Sequence, residues 1–219
     1  MEALIVGNGP PPSDRLLQEL MAGNPLLLCA DGGADTVMAR GWLPDYVVGD
    51  MDSVACRNAA AMPPERFVRV DDDDTGTDLQ KVIRQAVSLG VRAATLTGVT
   101  GGRSDHTLWN LSMLRLYRDS LRLRVVDDFC EIRLVNGEIR FRAEPGQKLS
   151  LTPLSGPAVG VRTTGLRFAL HGEILAPAIR DGISNEVVDG PVTVSVAAGD
   201  LLLVIHRETA PARIIWDNV

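Results

Sequence analysis

The sequence has few cysteines, no long apolar run and no charged leader, and each shortage excludes a class of protein. Its three cysteines, Cys29, Cys56 and Cys130, are far apart and odd in number, so they indicate neither a disulfide framework nor a metal-ligand spacing. This usage favours a reducing compartment, and we expect a cytoplasmic protein. Without a leader or a run of bilayer length, we expect neither a signal peptide nor a membrane span.

Positive charge is also scarce. The formal net charge of the 219 residues is -6, and the lysines and arginines form no basic stripe, which argues against a nucleic acid as partner. The sequence lacks the Gly-x-x-x-x-Gly-Lys-Ser/Thr pattern, which disfavours an ordinary P-loop ATPase. What it does have is an apolar content of 45%, enough for a packed core.

Six short apolar runs alternate with helical patterns in the first part of the chain. They lie at residues 3–6, 26–30, 46–48, 67–70, 94–97 and 123–126. Continuous apolar strands that alternate with helices predict an α/β, Rossmann-like domain with a mostly parallel sheet covered by helices.

The pattern changes after residue 130. Asn136-Gly137 predicts a β-hairpin over residues 131–142, since this dipeptide is a strong turn signal. From residue 149 onward, short alternating runs are separated by Gly, Pro and Asp, which predicts an all-β sandwich or barrel-like domain. We place the boundary within residues 143–147, which divides the chain into domains of residues 1–145 and 146–219.

Acidic residues follow the predicted strands. Asp31 follows the second strand, and Asp50 and Asp52 follow the third. Ligands of such sheets bind outside the carboxyl ends of the strands. Two neighbouring carboxylates repel each other unless a cation lies between them, and Mg²⁺ accepts one or two carboxylates beside waters and phosphates. A solvated acidic turn is the alternative, but several strand ends of this kind favour a magnesium site.

Residues 94–106 predict a strand, a glycine turn and a helix that is buried on more than one face. Gly101-Gly102 permits a close approach to the backbone, and Arg103 with the helix N-terminus suits a phosphate. Asp105 is a better candidate for a general base than His106, because a lone histidine is more often structural.

A second helix is predicted to begin at Thr77. Asp78 in its first turn either serves a ligand or stabilises the helix dipole. Lys81 lies one turn further on, where it reaches a phosphate or pairs with Asp78. We interpret most of the acidic run at residues 71–74 as a solvated face.

Five motifs occur together in the order and at the separations of one known family. They are Asp31-Gly32-Gly33-Ala34, Gly49-Asp50-Met51-Asp52-Ser53, Thr77-Asp78-Leu79-Gln80-Lys81, residues 98–106, and Gly182-Ile183-Ser184-Asn185-Glu186. Through them the chain resembles thiamine pyrophosphokinase over nearly its whole length. The resemblance implies an α/β domain, a C-terminal β-sandwich, and transfer of a diphosphoryl group from ATP to thiamine with release of AMP. It also implies a homodimer that holds thiamine between the catalytic domain of one subunit and the sandwich of the other.

The resemblance further implies roles for individual residues. The acidic, magnesium-dependent centre would contain Asp50, Asp52, Asp78 and Asp105. The catalytic residues would be Asp105, Asp78 and Arg103, and the residues around ATP would include Asp31, Gly32, Gly33, Thr77, Lys81, Gly101, Gly102 and His106. The thiamine pyrimidine would meet Ser184 and Asn185, with Phe168 helping to enclose it.

Two other functions stay open at this point. One is a metal-dependent nucleotide phosphohydrolase, in which water replaces the alcohol as nucleophile. The other is a non-catalytic nucleotide-binding regulatory module whose sandwich docks a partner. The sequence feature against both is the Ser184-Asn185 turn, which fits a site for an acceptor molecule.

Overall fold

The computed structural model describes residues 1–50, 63–70, 76–207 and 214–217. The chain divides into two compact units, Met1–Asp127 and Asp128–Val219. Asp52, Cys56 and the acidic run at residues 71–74 lie outside the described residues. Within the described part, no helix has the length and apolar character needed to cross a membrane.

The first unit consists of strands and helices in alternation. Its strands are β1 (Glu2–Val6), β2 (Leu26–Ala30), β3 (Tyr46–Gly49), β4 (Phe67–Arg69), β5 (Ala93–Thr97) and β6 (Arg122–Val126). Its described helices are α1 (Asp14–Met21), α2 (Gly33–Met38), α3 (Asp78–Ser88) and α4 (Ser104–Leu116), with a 3-10 helix at Pro64–Arg66. The strand order is β6-β5-β1-β2-β3-β4, and every described pairing is parallel.

Local sequence explains where two of these helices begin. The Ser13 hydroxyl accepts a hydrogen bond from the Leu16 N–H at 3.2 Å, and the Thr77 hydroxyl accepts one from the Gln80 N–H at 3.4 Å. Each bond satisfies a donor that the first helical turn leaves without a partner. The predicted start of α3 at Thr77 is therefore correct.

Apolar packing, rather than surface charge, holds the first unit together. Leu4, Leu17 and Leu27 are buried in one cluster with side chains from α2 and β3. Burial of each leucine contributes about 1.5–3 kcal/mol, whereas an exposed ion pair such as Arg40–Asp14 contributes about 0–1 kcal/mol.

The second unit is built from nine described strands. They are β7 (Cys130–Val135), β8 (Glu138–Arg142), β9 (Lys148–Pro153), β10 (Ala158–Thr164), β11 (His171–Leu175), β12 (Gly182–Glu186), β13 (Val192–Ser195), β14 (Leu201–His206) and β15 (Ile215–Trp216). They pair in the orders β12-β9-β14-β7 and β11-β10-β13-β8-β15, and every described pairing is antiparallel. Both sets contribute to one apolar core that includes Phe141, Leu149 and Leu203.

The general prediction of an α/β region followed by an all-β region is confirmed, but the hairpin over residues 131–142 is wrong. β7 pairs with β14, whereas β8 pairs with β13 and β15. The Asn136-Gly137 turn therefore leads from one sheet to the other. Because β7 and β8 pair with strands of the second unit, that unit begins at Asp128, before the boundary that we placed within residues 143–147.

Candidate active site

The carboxyl ends of β1 and β5 lie unusually close together. Gly7 donates its N–H to the Thr97 carbonyl, and Gly9 donates its N–H to the Gly98 carbonyl, both at 2.8 Å. A Cβ atom at Gly7 or Gly9 would lie 2.6 Å from the Gly98 oxygen, closer than real atoms approach. Only glycine therefore allows the loops after these two strands to run side by side.

A cavity of about 680 Å³ opens at this edge, where the strand order reverses between β1 and β5. Its lining comes from the loop after β1, the end of β3, the start of α3, and the β5–α4 turn. The volume falls within the roughly 300–1,000 Å³ of small-molecule sites, and the position is the one at which open α/β sheets bind ligands.

The cavity brings many of the predicted site residues of the first unit together. Those that line it are Asp50, Thr77, Asp78, Lys81, Gly102, Arg103 and His106. Five other residues of the first unit were predicted for the site and are described by the structure, but they do not line the cavity: Asp31, Gly32, Gly33, Gly101 and Asp105. Asp105 is nevertheless flanked by the lining residues Arg103 and His106.

Asp31, Gly32 and Gly33 have a visible packing role. Asp31 is buried, has a φ of +41° and donates its backbone N–H to the Val48 carbonyl at 3.0 Å. A Cβ atom at Gly33 would lie 2.4 Å from the Val6 oxygen, and one at Gly32 would lie 2.5 Å from Asn8 Oδ1. This motif thus draws the ends of β1, β2 and β3 together, and its predicted contact with ATP stays a prediction.

Two carboxylates and an ammonium group line the same cavity. Lys81 Nζ lies 3.3 Å from Asp78 Oδ1, and only 7% of the Lys81 side chain is exposed. Asp50 supplies the second carboxylate. Among the described residues, no group of three Asp, Glu, His or Cys side chains is placed to hold a metal ion. Two carboxylates fit Mg²⁺, which takes its other ligands from water and substrate phosphates.

Arg103 and Asp105 form an exposed two-point ion pair. Arg103 Nη2 lies 2.6 Å from Asp105 Oδ2, and Nε lies 3.1 Å from Oδ1. The hydrogen bonds from Arg103, and then the bond from the His106 backbone N–H, lower the pKa of Asp105 to about 2. The same pair raises the pKa of Arg103. Asp105 is thus a weak proton acceptor while the pair is closed, and it orients the Arg103 guanidinium.

The expectation that α4 is buried on more than one face is wrong. Its buried residues are Asn110, Met113 and Leu114, whereas Leu108, Trp109 and Leu116 are exposed. The many apolar residues of this helix suggested that it is buried. The sequence alone does not distinguish an apolar face that packs in the core from one that stays exposed.

Sequence analysis missed three polar residues that line or shape the cavity. Asn8 and Asn110 line it, and Asn110 Nδ2 donates to the Val99 carbonyl at 2.8 Å. Thr100 also lines it, and its hydroxyl donates to Asp127 Oδ2 at 2.7 Å. Asn110 fixes the β5–α4 turn from the next helical turn, a contact that the spacing of the residues does not reveal.

In the second unit, the predicted acceptor residues lie close to one another. Asn185 is buried, and its side chain bonds to the backbone of Phe168, whose own side chain is exposed. Ser184 has a φ of +60° and donates its N–H to the Ser150 hydroxyl at 3.1 Å. The structure therefore places Phe168 next to the segment that contains Ser184 and Asn185.

Comparison with known protein families shows which family contains both of the domains described above. Residues 17–125 match the family model described as the catalytic domain of thiamin pyrophosphokinase, and residues 137–201 match that of its vitamin B1 binding domain. The chain belongs to the thiamine pyrophosphokinase family.

Individual thiamine pyrophosphokinases agree with this assignment. Thiamine pyrophosphokinase 1 of Arabidopsis thaliana is 30% identical over 214 residues, which cover 82% of this chain and 77% of that protein. Thiamine pyrophosphokinase of Bacillus subtilis is 26% identical over 82% of this chain and 86% of its own length. The solved structure of thiamin pyrophosphokinase from Geobacillus thermodenitrificans has a TM-score of 0.82 at 24% identity, covering 96% of this chain and 100% of that one, which shows a shared fold.

The Arg103–Asp105 pair predicts how Asp105 titrates. Arg103→Gln removes the main cause of the lowered pKa, so the Asp105 pKa should rise from about 2 toward its ordinary value of 3.8. The His106 N–H bond should keep it somewhat below that value. Carboxyl ¹³C NMR measures the titration, and Arg115→Gln, further along the same helix, is the control. An unchanged midpoint in Arg103→Gln would contradict the pairing.

Proposed function

We propose that this protein transfers the diphosphoryl group of ATP to the hydroxyethyl group of thiamine, giving thiamine diphosphate and AMP. One observation carries the proposal above all. The cavity residues Asp50, Asp78, Lys81 and Arg103 lie within the catalytic-domain match at residues 17–125, and residues 137–201 match a vitamin B1 binding domain. The chain therefore offers parts for both substrates of this reaction.

ATP is proposed to bind with its phosphates in the cavity of the first unit. Lys81 and Arg103 supply positive charge, and α4 adds the positive end of its dipole next to Gly102. We extend the proposal to Asp31, Gly32, Gly33, Thr77, Gly101 and His106 as residues around the nucleotide. The parallel pairings and the cavity at the strand-order reversal also support the Rossmann-like description of this unit.

Magnesium is proposed as the cofactor, held by Asp50 and Asp78, with Asp52 as a further ligand. When bound, the ion neutralises negative charge on the triphosphate. Lys81 holds one oxygen of Asp78 at 3.3 Å, which restricts the orientation of that carboxylate. The two aspartates thus supply hard oxygen ligands, and the lysine keeps the local charge balanced.

Arg103 and Asp105 are proposed to act on the transferring group and on the acceptor alcohol. Arg103 grips phosphate oxygens, to which its planar guanidinium donates two hydrogen bonds at once. Asp105 orients or deprotonates the thiamine hydroxyl. The pKa of Asp105 is about 2 while it is paired with Arg103, so the pair favours orientation of the alcohol, and deprotonation requires that Arg103 turn to the phosphate. In this reaction the alcohol oxygen forms a bond to the β-phosphorus of ATP, the bond to the oxygen of the departing AMP breaks, and catalysis depends chiefly on such positioning and on charge stabilisation.

The acceptor is proposed to bind in the second unit, at Ser184, Asn185 and Phe168. We also propose a homodimer in which the catalytic domain of one subunit and the sandwich of its partner hold thiamine. The exposed apolar residues Trp109 and Leu116 of α4 support an oligomer, since contiguous apolar surface usually marks an interface. A molar mass of two chains, measured by light scattering, is the expected result. The small number and wide spacing of the cysteines favour a reducing compartment, so we extend the proposal to a cytoplasmic location.

The two alternative functions are less well supported. A phosphohydrolase has no need of the vitamin B1 binding match at residues 137–201. A regulatory module has no need of paired carboxylates in its nucleotide cavity. Both are outcomes of the assay that follows.

The decisive assay combines the protein with ATP, Mg²⁺ and thiamine and separates AMP from ADP. We expect AMP and thiamine diphosphate in equal amounts, and no AMP when thiamine is omitted, because the alcohol is the nucleophile. Release of phosphate or diphosphate without thiamine would indicate a hydrolase. Binding of ATP without any turnover would indicate the regulatory module.

Removal of one cavity carboxylate should weaken the dependence on magnesium. Asp78→Asn keeps the shape of the side chain but removes its charge, so the Mg²⁺ concentration for half-maximal activity should rise about tenfold or more. Asp119→Asn, at an exposed position outside the cavity, is the matched control and should change it by less than about twofold. An unaltered magnesium titration in Asp78→Asn would remove Asp78 from the ligand set.

A further inference from the structure

Both polar atoms of the Asn185 side chain form hydrogen bonds with backbone groups. Asn185 Oδ1 accepts a hydrogen bond from the Phe168 N–H at 3.1 Å, and Nδ2 donates to the Phe168 carbonyl at 2.9 Å. Oδ1 also accepts from the Glu186 N–H at 2.9 Å. Among side chains of this length, only an amide offers a donor and an acceptor together. Asn185 thus pairs with both backbone groups of a single residue.

Phe168 is held in place by its backbone while its ring faces outward. The neighbouring residues Leu166 and Leu170 are buried, but 63% of Phe168 is exposed. Arg167 donates its backbone N–H to the Glu186 carbonyl at 2.9 Å, and its guanidinium lies 3.1 Å from Glu186 Oε1. An aromatic ring presented in this way has a face available for stacking.

An irregularity in β12 turns Asn185 inward. Gly182 lies opposite Leu151 and Asn185 lies opposite Leu149, so three steps along β12 match two along β9. This extra residue is a β-bulge, which changes the direction of the side chains that follow it. Ile183 and Ser184 are consequently both exposed, whereas only 3% of Asn185 is exposed.

Ser184 provides the backbone conformation that the bulge needs. Its φ of +60° lies in the left-handed region, which is unfavourable for a residue with a Cβ atom. Such strain concentrates at functional positions and persists where surrounding contacts fix it. Here the Ser150 hydroxyl accepts the Ser184 N–H on one side, and the Asn185 amide bonds follow on the other.

We propose that Asn185 is a positioning residue for thiamine, which acts through Phe168 and does not contact the substrate itself. Its amide fixes the Phe168 backbone, and the exposed Phe168 ring then meets a face of the thiamine heterocycle. A side chain that is 3% exposed, with its oxygen and its nitrogen already bonded, has little surface left for a ligand. This inference rests on the proposed function and replaces the expected direct contact of Asn185 with the pyrimidine.

Steady-state kinetics of Asn185→Asp test the proposal. The carboxylate has the same shape but cannot donate to the Phe168 carbonyl, so the KM for thiamine should rise about fivefold with the KM for ATP within twofold. Asn185→Ser is the uncharged second variant and should show the same selective loss. Melting temperatures confirm that both variants are folded.

A double-mutant cycle separates positioning from direct contact. Phe168→Leu removes the ring, and Phe129→Leu, at another exposed phenylalanine of the same unit, is the matched control. If Asn185 acts through the ring, Asn185→Asp should raise the thiamine KM by less than twofold in the Phe168→Leu background. An equal fivefold loss in both backgrounds would overturn the proposal, as would a parallel rise in the KM for ATP.

Hydrogen–deuterium exchange tests the contact independently of catalysis. Exchange of the Phe168 amide should be faster in Asn185→Ser than in the unaltered protein, because the shorter side chain no longer accepts a hydrogen bond from the Phe168 N–H. Unchanged exchange would overturn the positioning role even if activity falls. If the unaltered protein forms no AMP with thiamine, the proposed function fails, and the exchange result still decides whether Asn185 fixes Phe168.

Discussion

The close approach of two loops at the carboxyl ends of β1 and β5 is the constraint on which the first unit depends. A Cβ atom at Gly7 or Gly9 would lie 2.6 Å from the carbonyl oxygen of Gly98, so a methyl group at either position would push the loops apart. That separation would move two lining residues: Asn8, which lies between these glycines, and Thr100, which comes two residues after Gly98. The shape of the cavity therefore depends on the absence of side chains at Gly7 and Gly9.

The charged side chains next to the cavity are arranged in pairs. Lys81 beside Asp78 and Arg103 beside Asp105 each place a cation against a carboxylate, and the two pairs differ in exposure. The buried lysine stays near one position, whereas the exposed arginine exchanges its partner at small cost because water screens the pair. A phosphate ligand would therefore displace Asp105 from Arg103 more easily than it would displace Asp78 from Lys81.

Sequence predicted the parts of the fold that depend on local chemistry. The apolar runs of the first unit became strands, Thr77 became a helix cap, and aspartates and glycines gathered at strand ends, because each follows from nearby residues. The hairpin at Asn136-Gly137 failed because a turn signal does not tell which strand pairs with β8. The cavity roles of Asn8 and Asn110 were missed for a similar reason, because Asn8 lies beside Gly32 and Asn110 bonds to Val99, contacts between residues that are distant in sequence.

Asn185 shows why a motif can be located from sequence while the direction of its side chains cannot. A polar residue in a turn-like motif suggests a ligand contact, and only the bulge at Ser184 determines that this side chain faces inward. Had β12 kept the register set by Gly182 opposite Leu151, Ser184 would lie opposite the buried Leu149 and Asn185 opposite the exposed Lys148. Ser184 and Asn185 therefore depend on each other. The bulge at Ser184 turns the Asn185 amide toward Phe168, and the hydrogen bonds of that amide help to stabilise the bulge.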